Sequence, residues 1–189
     1  ELEVLAPQYD KVILSTSTQV SENGYSQWSS SDTIDFISNI KLLAKKYSKY
    51  LFILKEKKGE FKYAKELLTK SLEKNIFVVE SIKPRDLIYN QFEDLLMISD
   101  ILISKAHQST TIWQSIYNDV PAIGINEVHP SSFMKNYVHL EVNYSELEES
   151  FRYWLRIDNN RWKTFKSKIS SEINLISKQD PFELIVENL

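Results

Sequence analysis

Short apolar runs alternate along this chain with longer stretches in which apolar residues recur at helical spacing. The run KVILSTS from Lys11 is rich in β-branched residues and gives way to the polar stretch SENGYSQWSSSD, which reads as a strand followed by a loop. From Asp32 onward, Ile34, Ile37, Ile40, Leu43, Ala44 and Tyr47 trace one face of an amphipathic helix, with Asp32 placed to cap its first turn. YLFILK from Tyr50 is apolar without alternation, as befits a strand covered on both faces, and KEKKGE ends it. The unit then repeats. Phe61, Ala64, Leu68 and Leu72 form a helical stripe before the run IFVVE from Ile76. Ile88, Phe92, Leu95 and Leu96 form the stripe of a helix expected from Asp86 to Ser99, before ILIS from Ile101. A helix from about Ser109 to Asn118, which Pro121 prevents from continuing, precedes AIGIN from Ala122. YVHLEV from Tyr137 alternates and is expected as a sixth, shorter strand.

The end of the chain is helical. Ser145 with Glu148 three residues later predicts a capping box before Phe151, Trp154 and Leu155, and a second stripe runs through Trp162, Phe165, Ile169, Ile173 and Ile176. Strands alternating with helices of this length imply right-handed crossovers. The expected fold is therefore α/β: a doubly wound, Rossmann-like parallel sheet of five or six strands, helices on both faces, and two C-terminal helices. One domain is expected over 1–189, with 1–9 as an N-terminal extension and 144–189 as the C-terminal helices.

Composition narrows the function. With 189 residues, 42% hydrophobic and 26% charged, the chain is a globular domain and neither disordered nor a coiled coil. A net charge of −3 offers no basic surplus for nucleic acid, so phosphate binding must be local. Zero cysteines exclude disulfides, thiolate zinc sites and cysteine nucleophiles. No apolar run approaches the roughly 20 residues of a membrane span, and no basic-then-apolar leader follows Glu1. No HExxH or His-plus-carboxylate spacing suggests a metal, so no metal or other cofactor is expected. With only three glycines, GxGxxG and GxxxxGK[ST] phosphate loops are absent.

In a doubly wound sheet, ligands bind beyond the carboxyl ends of the strands, so the loops after each run are the places to search. STSTQ brings Thr16 and Thr18, SIKPRD brings Arg85, SKAHQSTT brings His107, and NEVHP brings Glu127. Ser109, Thr110 and Thr111 open a helix after a buried strand, where free N–H groups and hydroxyls suit a phosphate. Simple helix capping by Ser109 explains the same residues equally well. Lys55 ends its apolar run directly and is the better placed of the lysines there to meet an anion, whereas Lys57 and Lys58 read as a solvated face.

The order KVILSTST, helix, KYLFILKEK, then DLLMISDILISKAHQSTTIWQSIYNDVPAIGIN resembles the C-terminal, nucleotide-sugar-binding domain of GT-B glycosyltransferases, notably those that build bacterial capsules and surface polysaccharides. The resemblance covers roughly residues 10 to 189. Ser99-Asp100 stand at the family's "aD" dipeptide, Ser109-Thr110-Thr111 at its hydroxyl-rich turn, and Asp119-Val120-Pro121 at its "G-x-P", with Asp in the glycine position. The closing DPFELIVENL resembles the family's last helix.

The resemblance implies a donor diphosphate facing Ser109 to Thr111 and Lys55, with Arg85 near the nucleotide; Thr16, Thr18, His107 and Glu127, on the other loops after the strands, are expected near the nucleotide or sugar. It implies no identifiable catalytic residue. The partners implied are a nucleotide-sugar and an N-terminal acceptor domain or a separate acceptor subunit. No nucleic acid is expected. The location implied is the cytoplasm, including the inner face of the membrane by peripheral association. The expected function is donor binding in polysaccharide or surface glycan synthesis. A nucleotide-sugar 2-epimerase-like domain or a non-catalytic α/β interaction module are the alternatives.

Overall fold

The computed structural model describes residues 2–16, 30–55, 73–79, 91–105, 110–127, 133–137 and 139–178. The expected helix over Phe61 to Leu72, the first residues of the helix from Asp86, and the segment DPFELIVENL lie outside them, as do Thr18, Arg85, His107 and Ser109. Two compact units divide the chain at Leu155/Arg156.

In the first unit a short helix, α1 (Leu2–Leu5), and a 3-10 turn (Ala6–Gln8) lead into β1 (Lys11–Thr16). Then follow α2 (Ser30–Lys46), β2 (Tyr50–Lys55), β3 (Ile76–Val79), α3 (Gln91–Met97), β4 (Ile101–Lys105), α4 (Thr110–Tyr117), β5 (Ala122–Ile125), a 3-10 turn (Phe133–Asn136), β6 (Glu141–Val142) and α5 (Leu147–Arg156). The strands form one six-stranded sheet in the order β3-β2-β1-β4-β5-β6, and every pairing is parallel. This is the Rossmann order, with its switch point between β1 and β4. Ile13, Leu14, Leu51, Phe52, Ile53, Leu102, Ile103 and Ile123 are buried in the sheet, which is why these strands read as continuous apolar runs.

Particular side chains pin the frame. Asp100 pairs with the Lys11 ammonium at 2.6 Å and accepts the Val12 N–H at 2.8 Å, while its own N–H donates to Val12 O. One carboxylate thus fixes the register of β1 against β4 at the amino edge of the sheet. Asn75 does the same for α2, its amide nitrogen lying 2.8 to 3.2 Å from the carbonyls of Tyr50, Ala44 and Tyr47. After α4, Asp119 adopts φ 62°. Its N–H donates to Ile116 O, and that of Val120 to Ser115 O. That is the paired Schellman closure of a helix, in which the left-handed residue is usually glycine. Asp occupies it here because Asp and Asn tolerate this conformation better than other side chains.

Three expectations need correction. α2 begins at Ser30, so Asp32 lies inside the first turn and does not precede it. The capping box before α5 is Asn143 with Glu146: Asn143 Oδ1 accepts the Glu146 N–H at 3.1 Å and Glu146 Oε2 accepts the Asn143 N–H at 3.2 Å. Glu148 instead meets Lys46 at 2.6 Å, and that hydrogen bond holds its carboxyl below the ordinary range. The sixth strand is shortened to Glu141–Val142, because Tyr137 closes the preceding 3-10 turn on Met134 O.

The second unit carries α6 (Asn159–Lys178). Asp158 caps it, accepting the N–H groups of Asn160 and Arg161 at 3.0 and 2.9 Å. Trp162 and Phe165 stack on its surface with ring centroids 5.6 Å apart.

Candidate functional site at the switch point

Register brings Lys55, Thr16, Ser104 and Gly124 abreast on neighbouring strands at the carboxyl edge of the sheet. Residues abreast in a parallel sheet point to the same face, so this row carries one ammonium and two hydroxyls across the switch point. The hydroxyls are joined. Thr16 Oγ1 donates to Ser104 Oγ at 3.0 Å, and Ser104 Oγ lies 3.1 Å from Thr111 Oγ1 in the first turn of α4. Thr16 and Ser104 are buried, Lys55 and Thr111 half-buried. The chain of hydroxyls therefore runs from β1 through β4 to a helix N-terminus, where backbone N–H groups lack intrahelical partners. Such an edge suits a phosphate ester: backbone donors and the dipole at the helix N-terminus, with one cation in the adjoining row.

A cleft of about 500 Å³ opens beyond the ends of β5 and β6 and is lined by Asp32, Asp35, Ile125, Glu127, Asn143, Tyr144 and Ser145. Glu127 accepts a short hydrogen bond from the Tyr144 N–H. Burial, with the carboxylates of Asp35, Glu127 and Asp32 adding to it, raises the Tyr144 phenol well above its ordinary value of 10.0. The lining combines acceptors with a phenol that stays protonated, a set that can both donate to and accept from ligand hydroxyls.

The raised phenol has a testable consequence. A group whose folded pKa is raised contributes stability that is present below its unfolded pKa and lost as pH rises through the folded value. Stability should thus fall above the ordinary tyrosine range, and Tyr144→Phe should flatten that alkaline limb. Urea midpoints measured between neutral pH and pH 11 check it; parallel curves for the two proteins would count against the arrangement.

Of the residues singled out from the sequence, the structure brings Thr16 and Lys55 into one row, sets Thr111 against that row through Ser104, and places Glu127 in the cleft. Thr110 starts α4. Ser104, Asp32, Asp35, Asn143 and Tyr144 join them without having been singled out as ligand contacts. The signal for Ser104 was a hydroxyl inside the apolar run ILIS. Among the described residues, no group of three or more His, Cys, Asp or Glu is arranged to hold a metal ion. No helix among them is long and apolar enough to cross a membrane.

No protein-family model matches the sequence, and no curated protein matches it either. Solved structures do match by fold. MnaA from S. aureus, determined with UDP, superimposes with a TM-score of 0.56 at 12% identity, over 88% of this chain and 42% of that one. The UDP-GlcNAc 2-epimerase from Neisseria meningitidis, bound to UDP-GlcNAc, gives 0.51 at 21% identity, over 87% and 44%. The C-terminal domain of the glycosyl transferase group 1 family protein LpcC from Francisella tularensis gives 0.54 at 14% identity, over 83% of this chain and 81% of that domain. The chain thus spans less than half the length of MnaA and of the epimerase, and most of the transferase domain. Likeness at these identities is one of fold: this chain has the α/β architecture found in part of UDP-sugar epimerases and in a glycosyl transferase C-terminal domain.

Proposed function

We propose that this chain is the donor-binding domain of a glycosyltransferase, holding the phosphates of a nucleotide-sugar at the switch point. The observation that carries the reading is the hydroxyl chain Thr16–Ser104–Thr111 between β1, β4 and the start of α4. It occupies the crevice in which doubly wound sheets receive their ligands. Structural neighbours determined with UDP and UDP-GlcNAc support the same choice of ligand class. In this reading Lys55, Ser109, Thr110 and Thr111 face the phosphates, Thr18, Arg85 and His107 lie near the nucleotide, and the sugar extends toward Glu127 and the cleft. Fixed dipoles and a cation would stabilise the departing nucleotide, and no cofactor enters. Acceptor recognition falls to another domain or subunit, and polysaccharide or surface glycan synthesis is the process we favour. An epimerase would share this binding half and differ in the reaction performed beside it.

Ligand-observed NMR of the chain with UDP, CDP, GDP, TDP and ADP tests the reading. One base should be selected, and Thr16→Val, which keeps the shape but removes the donor to Ser104, should weaken binding about tenfold, or about 1.4 kcal/mol. Absence of binding to every nucleotide, or affinity indifferent to Thr16, would sink the proposal.

A further inference from the structure

On the face of the sheet opposite the hydroxyl row, three polar side chains are sealed from solvent at the ends of β1, β4 and α2. Ser15 and Lys105 are each 1% exposed and Thr33 is 0% exposed. Ser15 Oγ and Thr33 Oγ1 have no hydrogen-bond partner among the described residues. Their common location follows from the topology. The contact between Ser104 and Thr111 puts α4 on the Ser104 face. The crossovers through α2 and α4 step away from the switch point in opposite directions, so right-handed connections put α2 on the other face. Ser15 and Lys105 point that way, being one residue before Thr16 and one after Ser104 in the paired register. Their Cα atoms are about 8 Å apart by strand geometry, within reach of a lysine side chain. Thr33 shares the sheet-facing side of α2 with Ile37 and Ile40, at i+4 and i+7. Because α2 runs back from the carboxyl edge, its first turns lie over these strand ends.

We propose that Ser15, Thr33 and Lys105 form an anion-receiving layer under the N-terminus of α2, binding one phosphate of a nucleoside diphosphate. The identity of the ligand rests on the donor-domain reading; the layer itself does not. A buried hydroxyl without a partner is costly, and a phosphate oxygen accepts from hydroxyl and ammonium alike. Lys105 interacts with another group of the protein as well, and an entering phosphate would share the ammonium with it. The end of the 17-residue α2 adds the positive pole of its dipole. The carboxylates of the same helix, Asp32 and Asp35, face the neighbouring cleft. The two phosphates of a diphosphate would then straddle the switch point, one on the hydroxyl row toward α4 and the other under α2.

Thermal melting of the full chain with pyrophosphate, against chloride at equal ionic strength, tests the layer. Pyrophosphate should raise the midpoint of the wild type by several degrees, and Lys105→Met should abolish the rise. Thr33→Val, which preserves shape, should reduce it and decides the question if the lysine variant does not fold. An equal rise in all three proteins, or none in the wild type, overturns the layer. A parallel arm compares UDP with uridine, whose difference in affinity should shrink about tenfold in Lys105→Met. A lysine-dependent pyrophosphate effect with no binding of UDP would leave the layer standing and remove the donor-domain reading.

Discussion

Truncation of Phe151 to alanine is expected to cost the fold about 3–5 kcal/mol. Its ring is fully buried where α5 meets the ends of α2 and β2. It lies edge-on to Tyr47 at 5.0 Å and to Tyr50 at 6.4 Å, and against Phe52 at 6.0 Å. Tyr47 and Tyr50 stack on each other at 5.7 Å. Removing the central ring opens a cavity that these rigid neighbours cannot fill, so the loss combines transfer and cavity terms. Phe151→Leu retains most of the volume and should cost less than about 1.5 kcal/mol. Urea denaturation of both variants measures the contrast, and equal losses would contradict the cavity account. The helix matters to the site because the turn at its start, held by Asn143 and Glu146, carries Tyr144 into the cleft. The Trp154 indole N–H also donates to His139 O at 2.9 Å, tying α5 to the approach of β6.

Asn75→Ala should cost about 2–4 kcal/mol, large for a residue outside every helix and strand. Its side chain is buried and serves the carbonyls of Ala44, Tyr47 and Tyr50, while its own carbonyl accepts the Phe52 N–H at 2.8 Å. Alanine keeps the backbone bond and removes the side-chain donor from the Ala44 carbonyl in a buried place and from those of Tyr47 and Tyr50 in partly buried ones. Asn75→Asp tests the donor role directly. A carboxylate aimed at carbonyl oxygens repels them, so this nearly isosteric change should be worse than alanine at neutral pH and should recover as acid protonates it. Melting curves for both variants at pH 7 and at pH 4 check the order, and an aspartate variant as stable as the wild type at pH 7 would refute it.

The strands were legible because a parallel sheet covered on both faces demands uninterrupted apolar runs. KVILST, YLFILK and ILISK stand in the structure at the residues where the pattern put them. Ile37, Ile40, Leu43 and Ala44 of the expected stripe are buried on α2 for the matching helical reason, while Ile34 and Tyr47 are half-buried. Element ends were less legible, since several local choices compete there. Asn143 and Ser145 can each cap a helix, and Glu148 left the cap for Lys46, a residue 102 positions away.

By itself, then, the sequence determined the alternation of strands and helices and the doubly wound class, because these follow from local periodicity and the handedness of crossovers. Tertiary structure alone decided which polar groups meet at the carboxyl edge of the sheet. Thr16 finds Ser104 across 88 positions, and Asp32 and Asp35 share a cleft with Glu127 and Tyr144. Lys105 opens a stretch that reads as a loop, yet it ends β4 and is enclosed. The physical reason is common to all of them: burial and partner choice depend on residues far apart in the chain, which local pattern does not encode.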